Sequence, residues 1–310
     1  MPVGPFVARR PIADNPATMT SDRSKHLRKL ISSGAIQIPG AFNALAARAI
    51  EKEGFPAVYV SGAGLSNAVF GLPDVGLISM TEAVEHARRI VNAVKLPVIV
   101  DADTGFGEAI NAARTVAEME AAGVSAIHLE DQVLTKKCGH WDGKELFMPE
   151  SMVEKSLAAC AGRSDKDFMI IARTDARGVT SFEDAVDRAN RYLDAGADGI
   201  FPEALQSGEE LAKFAEKVKA PLLANMTEFG KTPLLTLDEL TRIGYRMIIY
   251  PQTALRVAFK AVGEMLQDLK HAGDQNAWLP RMQTRKELYD LLDYDGLEAI
   301  DKAATHGATS

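Results

Sequence analysis

Cysteine is scarce in this chain: two residues among 310, Cys138 and Cys160. Two thiols cannot build a disulfide framework, and their scarcity fits a reducing compartment. No apolar run approaches the roughly 18 residues that suggest a membrane span, and the first 25 residues lack the apolar core of a secretory signal. The arginines of that stretch would suit a transit peptide, but Asp14 and Asp22 argue against one. A cytoplasmic location is therefore expected. There is no excess of positive charge: the net charge is −7 and the pI about 5.5. That removes the electrostatic footprint of a nucleic-acid binder. It also means that an anionic ligand must be held by a local cluster of cations rather than by the overall field. No glycine fingerprint follows the first apolar run, IPGAFNALAAR, as a dinucleotide-binding open sheet would require. No two histidines stand at ligand spacing, which argues against zinc.

What the chain has is a repeat. A short β-rich run followed by an Ala-rich amphipathic run recurs eight times. The predicted strands are 36–41, 57–62, 97–103, 126–131, 168–175, 199–204, 221–226 and 247–251, each nearly continuous in apolar residues, as parallel strands covered on both faces are. Helices such as 110–122 and 183–195 lie between them, and Gly54, Gly123, Gly196 and Gly244 supply helix stops. Eight βα units predict a closed (β/α)8 TIM-type barrel, with an open doubly wound sheet as the alternative. The first 20 residues read as a loose arm, and 21–310 as one barrel domain with a C-terminal helical extension. Helices near 253–272 and 283–303 are more chain than eight units need.

Barrel enzymes carry their chemistry at the C-terminal ends of the strands, and polar residues gather there. The second strand ends in Ser61-Gly62-Ala63, the third in Asp101-Ala102-Asp103, the fourth in Glu130-Asp131, the fifth in Arg173-Thr174-Asp175 and the sixth in Glu203. The seventh ends in Asn225, with Thr227 just after it. Any one of these, Asp175 for example, reads most simply as a loop residue or helix cap. Together they are harder to dismiss, because converging carboxylates repel and need compensation. Asp101, Asp103, Glu130 and Glu203 thus call for a cation, and a hard oxygen-only set suits Mg²⁺, with Mn²⁺ as a substitute. His128, inside the fourth strand, is as well explained by an interior histidine as by a participant. The longest loop, 132–149, reads QVLTKKCGHWDGKELFMP and has the length of a lid. Cys138 lies in it beside Lys136 and Lys137, neighbours expected to favour the thiolate. Cys160, in an Ala-rich helix, reads as a small buried apolar residue.

KKCGH at 136–140 resembles the active-site loop of the isocitrate lyase and phosphoenolpyruvate mutase superfamily. The likeness extends, in the family's order, through YVSGAG (59–64), GLPD (71–74), VDADTGFG (100–107), HLEDQ (128–132), ARTDA (172–176), FPEA (201–204), NMTEFG (225–230) and MQTRKELY (282–289). It covers about 36–290. Within the superfamily, LANMTEFGKTPL (223–234), YPQTALR (250–256) and MQTRKELY look like the branch that cleaves 2-methylisocitrate. One departure is Trp141, where the family usually has Leu, Met, Gln or Arg.

The resemblance implies a lyase that cleaves a tricarboxylate in a retro-aldol-type step. Asp101 and Asp103 would hold Mg²⁺ directly or through water, with Glu130 nearby. Ser61, Gly62 and Ala63 would bind a carboxylate and carbonyl, and Arg173, Asn225, Thr227, Arg256 and Arg285 the remaining carboxylates. Asp74 and Glu203 would orient the metal's water or the substrate hydroxyl. Cys138 would be the acid, on a lid with Gly139 and His140, and Tyr59 a candidate base. It implies a homotetramer whose last barrel helix is exchanged between paired subunits, which would account for the surplus helices. Other lyases or hydrolases acting on isocitrate, a dimethylmalate or oxaloacetate, and a phosphonate-forming mutase, are the alternatives within the superfamily. A catalytically silent assembly protein is the alternative outside it.

Overall fold

The computed structural model describes residues 16–307. Most of the expected N-terminal arm falls outside that range; from Pro16 the backbone is helical to Ser33. Eight parallel strands follow: β1 (Ile36–Pro39), β2 (Val58–Val60), β3 (Val98–Asp101), β4 (Ala126–Glu130), β5 (Met169–Thr174), β6 (Gly199–Pro202), β7 (Leu223–Asn225) and β8 (Met247–Tyr250). Each lies inside an apolar run read from the sequence, trimmed by one to three residues where the chain turns into its loop.

Ladders join β2 through β6 in order, and β7 through β8 to β1. Two isolated parallel bridges, Gly40 to Tyr59 and Ile200 to Leu222, complete the ring. Backbone bonds from Ala41 N to Tyr59 O (2.8 Å) and from Ile200 N to Pro221 O (3.0 Å) run at the same joints. This is the (β/α)8 barrel. Gly40 is required at the first joint, because a Cβ there would collide with the Pro251 backbone.

Two apolar layers result from the period of two along each strand. Ile38, Tyr59, Ile99, Met169, Phe201, Leu223 and Ile249 form the inner one, with Leu27 and Ile31 of the first helix packed into the same cluster. Val58, Val60, Val100, Ile127, Ile170, Ile200 and Ile248 face the helices. The helices stop where expected; Gly244, for example, takes φ 104°, open to glycine without a Cβ penalty. The helix at 253–272 has the expected bounds, Thr253–Ala272. The segment 283–303 is two helices, Arg285–Leu292 and Tyr294–Gly307, separated by Asp293 at φ 59°. No described helix is long and apolar enough to cross a membrane.

Candidate active site

Following the inner-face period upward explains which side chains meet. Ile99 leads two residues on to Asp101, Ala126 to His128 and Glu130, Ile171 to Arg173, Phe201 to Glu203, and Leu223 to Asn225. The interior thus changes from apolar to charged one layer above the core. The register places Asp101 beside His128, and Glu130 beside Arg173. A cavity of about 520 Å³ opens above this layer. Tyr59, Ser61, Ala63, Asp74, Asp101, Cys138, Gly139, His140, Arg173, Glu203, Asn225, Thr227 and Arg256 all border it. Gly62, Asp103, Glu130 and Arg285 do not.

Arg173 is the hub. Its Nε and Nη2 fork onto Asp175 at 2.9 and 3.2 Å, and it reaches Glu203 at 3.3 Å and Glu130 at 3.4 Å. Burial works against its charge, but the three carboxylates outweigh it and raise its pKa. Asp175 caps no helix through its side chain; it clamps this guanidinium. Glu203 is buried, yet Arg173 and His140 hold its carboxyl well below the usual range. Burial pushes Glu130 up, and its Oε1 has no hydrogen-bond partner.

Asp101 and Asp103 come together by a route the sequence did not suggest. The strand ends at Asp101, and Asp103 adopts φ 46°, an uncommon conformation for a residue with a Cβ. Its N–H donates to Asp101 Oδ1 at 3.0 Å, while Gly62 N–H donates to Asp101 Oδ2 at 3.1 Å. A Cβ on Gly62 would sit 3.0 Å from Asp101 Oδ2 and 3.3 Å from Asp103 Oδ1, so both carboxylates border one cradle. Lys136 reaches in from the lid, pairing with Asp74 and, at 2.7 Å, with Asp103. Burial raises the Asp103 carboxyl to about 6, despite Lys136. Burial would also raise Asp101, but His128, Lys136 and Arg173 bring it below its ordinary value.

Among the described residues no three His, Cys, Asp or Glu side chains group as a metal cluster, and Glu130, expected near the cation, is not part of the Asp101–Asp103 cradle. Glu130 turns to Arg173 instead. The Asp101–Asp103 cradle still fits a divalent cation of the Mg²⁺ kind, which binds through one or two carboxylates and keeps several waters.

The lid is packed down on the rim. A Cβ on Gly139 would collide with Arg173 Nη2 and Glu203 Cγ, so only glycine allows this approach. His140 Nδ1 accepts from Lys231 N–H at 2.9 Å, which leaves the ring proton on Nε2, 3.1 Å from Glu203 Oε1. The expectation that neighbouring lysines acidify Cys138 is overturned. Lys136 is spent on Asp74 and Asp103, and Lys137 Nζ binds the Gly143 carbonyl at 2.6 Å. Burial instead raises the Cys138 thiol, only partly offset by the His140 backbone N–H. Cys160 is half-buried in its helix, its thiol 3.2 Å from the Gly196 carbonyl.

On the far side, Tyr59 bonds His128 Nε2 at 2.8 Å. Burial first, then Asp101, raises its pKa, so it is a phenol here; His128 is pushed down to about 4 by burial and is neutral. Ser61 caps the helix Gly62–Phe70, accepting from Gly64 N. That helix presents its N-terminus to the cavity, a favourable place for a carboxylate. Asn225 Nδ2 donates to Glu203 at 3.2 Å. Arg256 lies over Phe229 and 3.5 Å from Glu228 at the mouth. Arg285 begins the exposed helix Arg285–Leu292, away from this chain's cavity.

Two polar residues of the site, Gln252 and Lys144, were not singled out from sequence, and the partners of a third, Asp175, were not foreseen. Gln252 is buried and donates to Ser61 at 3.3 Å; its signal was its place two residues past β8. Lys144 and Asp175 meet at 2.6 Å beneath the lid, and nothing in their local sequence announces it.

The phosphoenolpyruvate phosphomutase family model matches residues 27–270. A 2-methylisocitrate lyase of Aeropyrum pernix is 50% identical over 91% of this chain and 91% of its own. One of Halalkalibacterium halodurans is 50% identical over 91% and 92%. Among solved structures, oxaloacetate acetylhydrolase bound to 3,3-difluorooxalacetate superposes with a TM-score of 0.88 at 32% identity, covering 93% of this chain and 98% of that one. For 2,3-dimethylmalate lyase the values are 0.86, 35%, 94% and 96%. Phosphonopyruvate hydrolase, solved with oxalate and Mg²⁺, gives 0.81, 31%, 90% and 98%. This chain therefore belongs to the phosphoenolpyruvate phosphomutase family, together with the 2-methylisocitrate lyases.

Proposed function

We propose that this protein cleaves 2-methylisocitrate to pyruvate and succinate, in the cytoplasm and in the service of propionate catabolism. The observation that carries the reading is a thiol held in its protonated form, Cys138, at the edge of a cavity whose floor is the buried Arg173. Cleavage leaves a carbanion beside a carboxylate, and that carbanion must be protonated on carbon. A thiol kept neutral by burial is ready to donate, and a side chain on a closed lid delivers its proton without competing water.

The remaining residues take roles consistent with their places. Arg173, Asn225 and Thr227 receive one carboxylate. Ser61 and Ala63, at the helix N-terminus, receive another, and Arg256 guards the mouth. Arginine suits this task because its planar fork pairs with a carboxylate through two bonds. His140 lies 3.1 Å from Glu203, a contact that helps keep the lid seated. Tyr59 borders the cavity, bonded to neutral His128, and its phenol would hydrogen-bond the substrate hydroxyl. Asp101 and Asp103 would hold Mg²⁺ directly or through water, and Asp74 would orient that water once Lys136 yields. The cation supplies stabilisation of the negative charge that develops on the substrate oxygen.

The assembly we propose is a homotetramer in which the helix Thr253–Ala272 packs on a paired subunit. Leu255 is the one buried residue of that helix, while Val257, Phe259 and Leu266 are exposed. Exposed apolar faces of this extent mark interaction surfaces.

The test is a panel assay of pyruvate, glyoxylate or acetate release from 2-methylisocitrate, isocitrate, 2,3-dimethylmalate and oxaloacetate. We expect the highest kcat/KM with 2-methylisocitrate, exceeding isocitrate by about 10–200-fold for the single methyl group. A higher kcat/KM with dimethylmalate or oxaloacetate would overturn the reading.

A further inference from the structure

Lys144 has no part in the chemistry above, yet its side chain is almost completely enclosed, 1% exposed. Burying an ammonium is unfavourable unless its protons find acceptors. Here they find two: the Gly139 carbonyl oxygen, and Asp175 Oδ1 at 2.6 Å. Each partner belongs to a different part of the site. Gly139 follows the Cys138 acid and lies against Arg173 and Glu203. Asp175 holds the Arg173 guanidinium through both carboxylate oxygens, one of which is shared with Lys144. Asp175 is fixed in turn, its N–H donating to Asp131 Oδ1 at 2.9 Å, and Asp131 accepts from Tyr192 at 2.9 Å. The space is fitted to a small cation: a Cβ on Gly178 would lie 3.3 Å from Nζ.

We propose that Lys144 is the positioning residue of the lid, seating the peptide that carries the Cys138 acid and linking lid closure, through Asp175, to the Arg173 clamp. This rests on the reading of Cys138 as the acid of a lyase. Lys144 travels with the lid, whereas Asp175 belongs to the barrel rim. When the lid lifts, Lys144 leaves the Asp175 oxygen and carries the Gly139 peptide, and with it Cys138, away from Arg173 and Glu203. The acid and the anion clamp are therefore set by one event, which is how a lid can keep the thiol out of reach until substrate is enclosed.

The test uses the full chain with Lys144→Met and Lys144→Arg. The arginine variant keeps a cation on Asp175 and guards against a methionine variant that fails to fold. Its planar fork cannot replace the ammonium at the Gly139 carbonyl in so small a space. In each variant that keeps the parent circular dichroism, kcat should fall by about a hundredfold, the cost of a misplaced reacting group. KM should stay within about threefold, because the carboxylate contacts remain. Iodoacetamide should label Cys138 about tenfold faster, resolved from Cys160 by peptide mapping, because the thiol is released from its enclosure. Labelling needs no substrate. Faster labelling in a protein whose parent turns over none of the acids would uphold the coupling and overturn the lyase reading. Parent-like kcat and labelling in a folded variant would overturn the proposal.

Discussion

The rim of the barrel and the C-terminal helices are opposites. At the rim, charged side chains are buried: Asp101, Glu130, Lys136, Lys144, Arg173, Asp175 and Glu203 are all at most 9% exposed. Along 253–307, apolar side chains are exposed: Leu266 by 53%, Phe259 by 54% and Leu297 by 64%. Each arrangement reverses the usual partition of residues. The rim reconciles its charges internally, with Arg173, Lys136 and Lys144 placed among carboxylates, and leaves a cavity shaped for an anion and a cation. The helices leave much of their apolar surface exposed, the face we propose for the paired subunit. Stability alone would favour neither; a buried ion network is often no more stable than apolar packing.

The largest effect expected at the rim is from Cys138→Ser. Turnover should fall by about a thousandfold, within the range for a lost general acid, with the melting temperature unchanged; near-parent pyruvate release would remove Cys138 from the mechanism. Alkylation of the thiol should also need a higher pH than an ordinary cysteine, because burial raises its pKa.

Next comes the cation. EDTA should lower activity by about a hundredfold or more, and Mg²⁺ or Mn²⁺ should restore it. Full turnover in a preparation shown metal-free by elemental analysis would refute this. Asp103 titrates at about 6, so protons and cation compete for it, and Mg²⁺ affinity measured calorimetrically should weaken as pH falls through that value. The same shift bears on folding. A carboxyl raised above its unfolded value disfavours the charged native state, so without cation this group adds stability at low pH that is lost as pH rises from about 4 to 6.

Asp175→Ala tests whether the buried charges are compensated as described. It leaves Arg173 and Lys144 facing each other without their shared carboxylate. Urea denaturation should show a loss of about 3–5 kcal/mol; a loss below about 1 kcal/mol would mean that the network is not what holds the rim.

The helices are addressed by Phe259→Asp with Leu266→Asp. Light scattering should report a smaller assembly than the parent, with the barrel still folded by circular dichroism. An unchanged mass would show that this face is not an interface. The smallest effect is expected for Arg285→Lys. Arg285 is exposed and distant from its own chain's cavity, so kcat/KM should stay within about fivefold, the scale of an exposed ion pair worth 0–1 kcal/mol. A tenfold loss, about 1.4 kcal/mol, would mean that Arg285 reaches the cavity of a paired subunit.

Much of this was legible in the chain itself. The eight strands, their order and the rim as the place of chemistry follow from local patterns. Apolar runs, glycine stops and the period of two all act over a few residues, and they carry their information wherever the segment ends up. Several rim residues were legible for the same reason, since they sit at strand ends. Asp101, Arg173, Glu203 and Asn225 could be placed on the rim before any of them had a partner.

What the chain alone did not disclose is how those groups pair. Lys136 and Lys137 read as neighbours that acidify Cys138, because adjacency in sequence suggested adjacency of charge. In the fold both ammonium groups point elsewhere, and enclosure of the thiol decides its pKa. Asp103 read as a continuation of its strand and is instead a left-handed turn. Lys144 and Gln252 became site residues, and Asp175 gained its partners, only through contacts made in the folded barrel. Local sequence determines which backbone conformations and faces are favourable. Charge pairing, burial and the shifts they cause depend on distances between segments far apart in the chain, and only the closed barrel sets those distances.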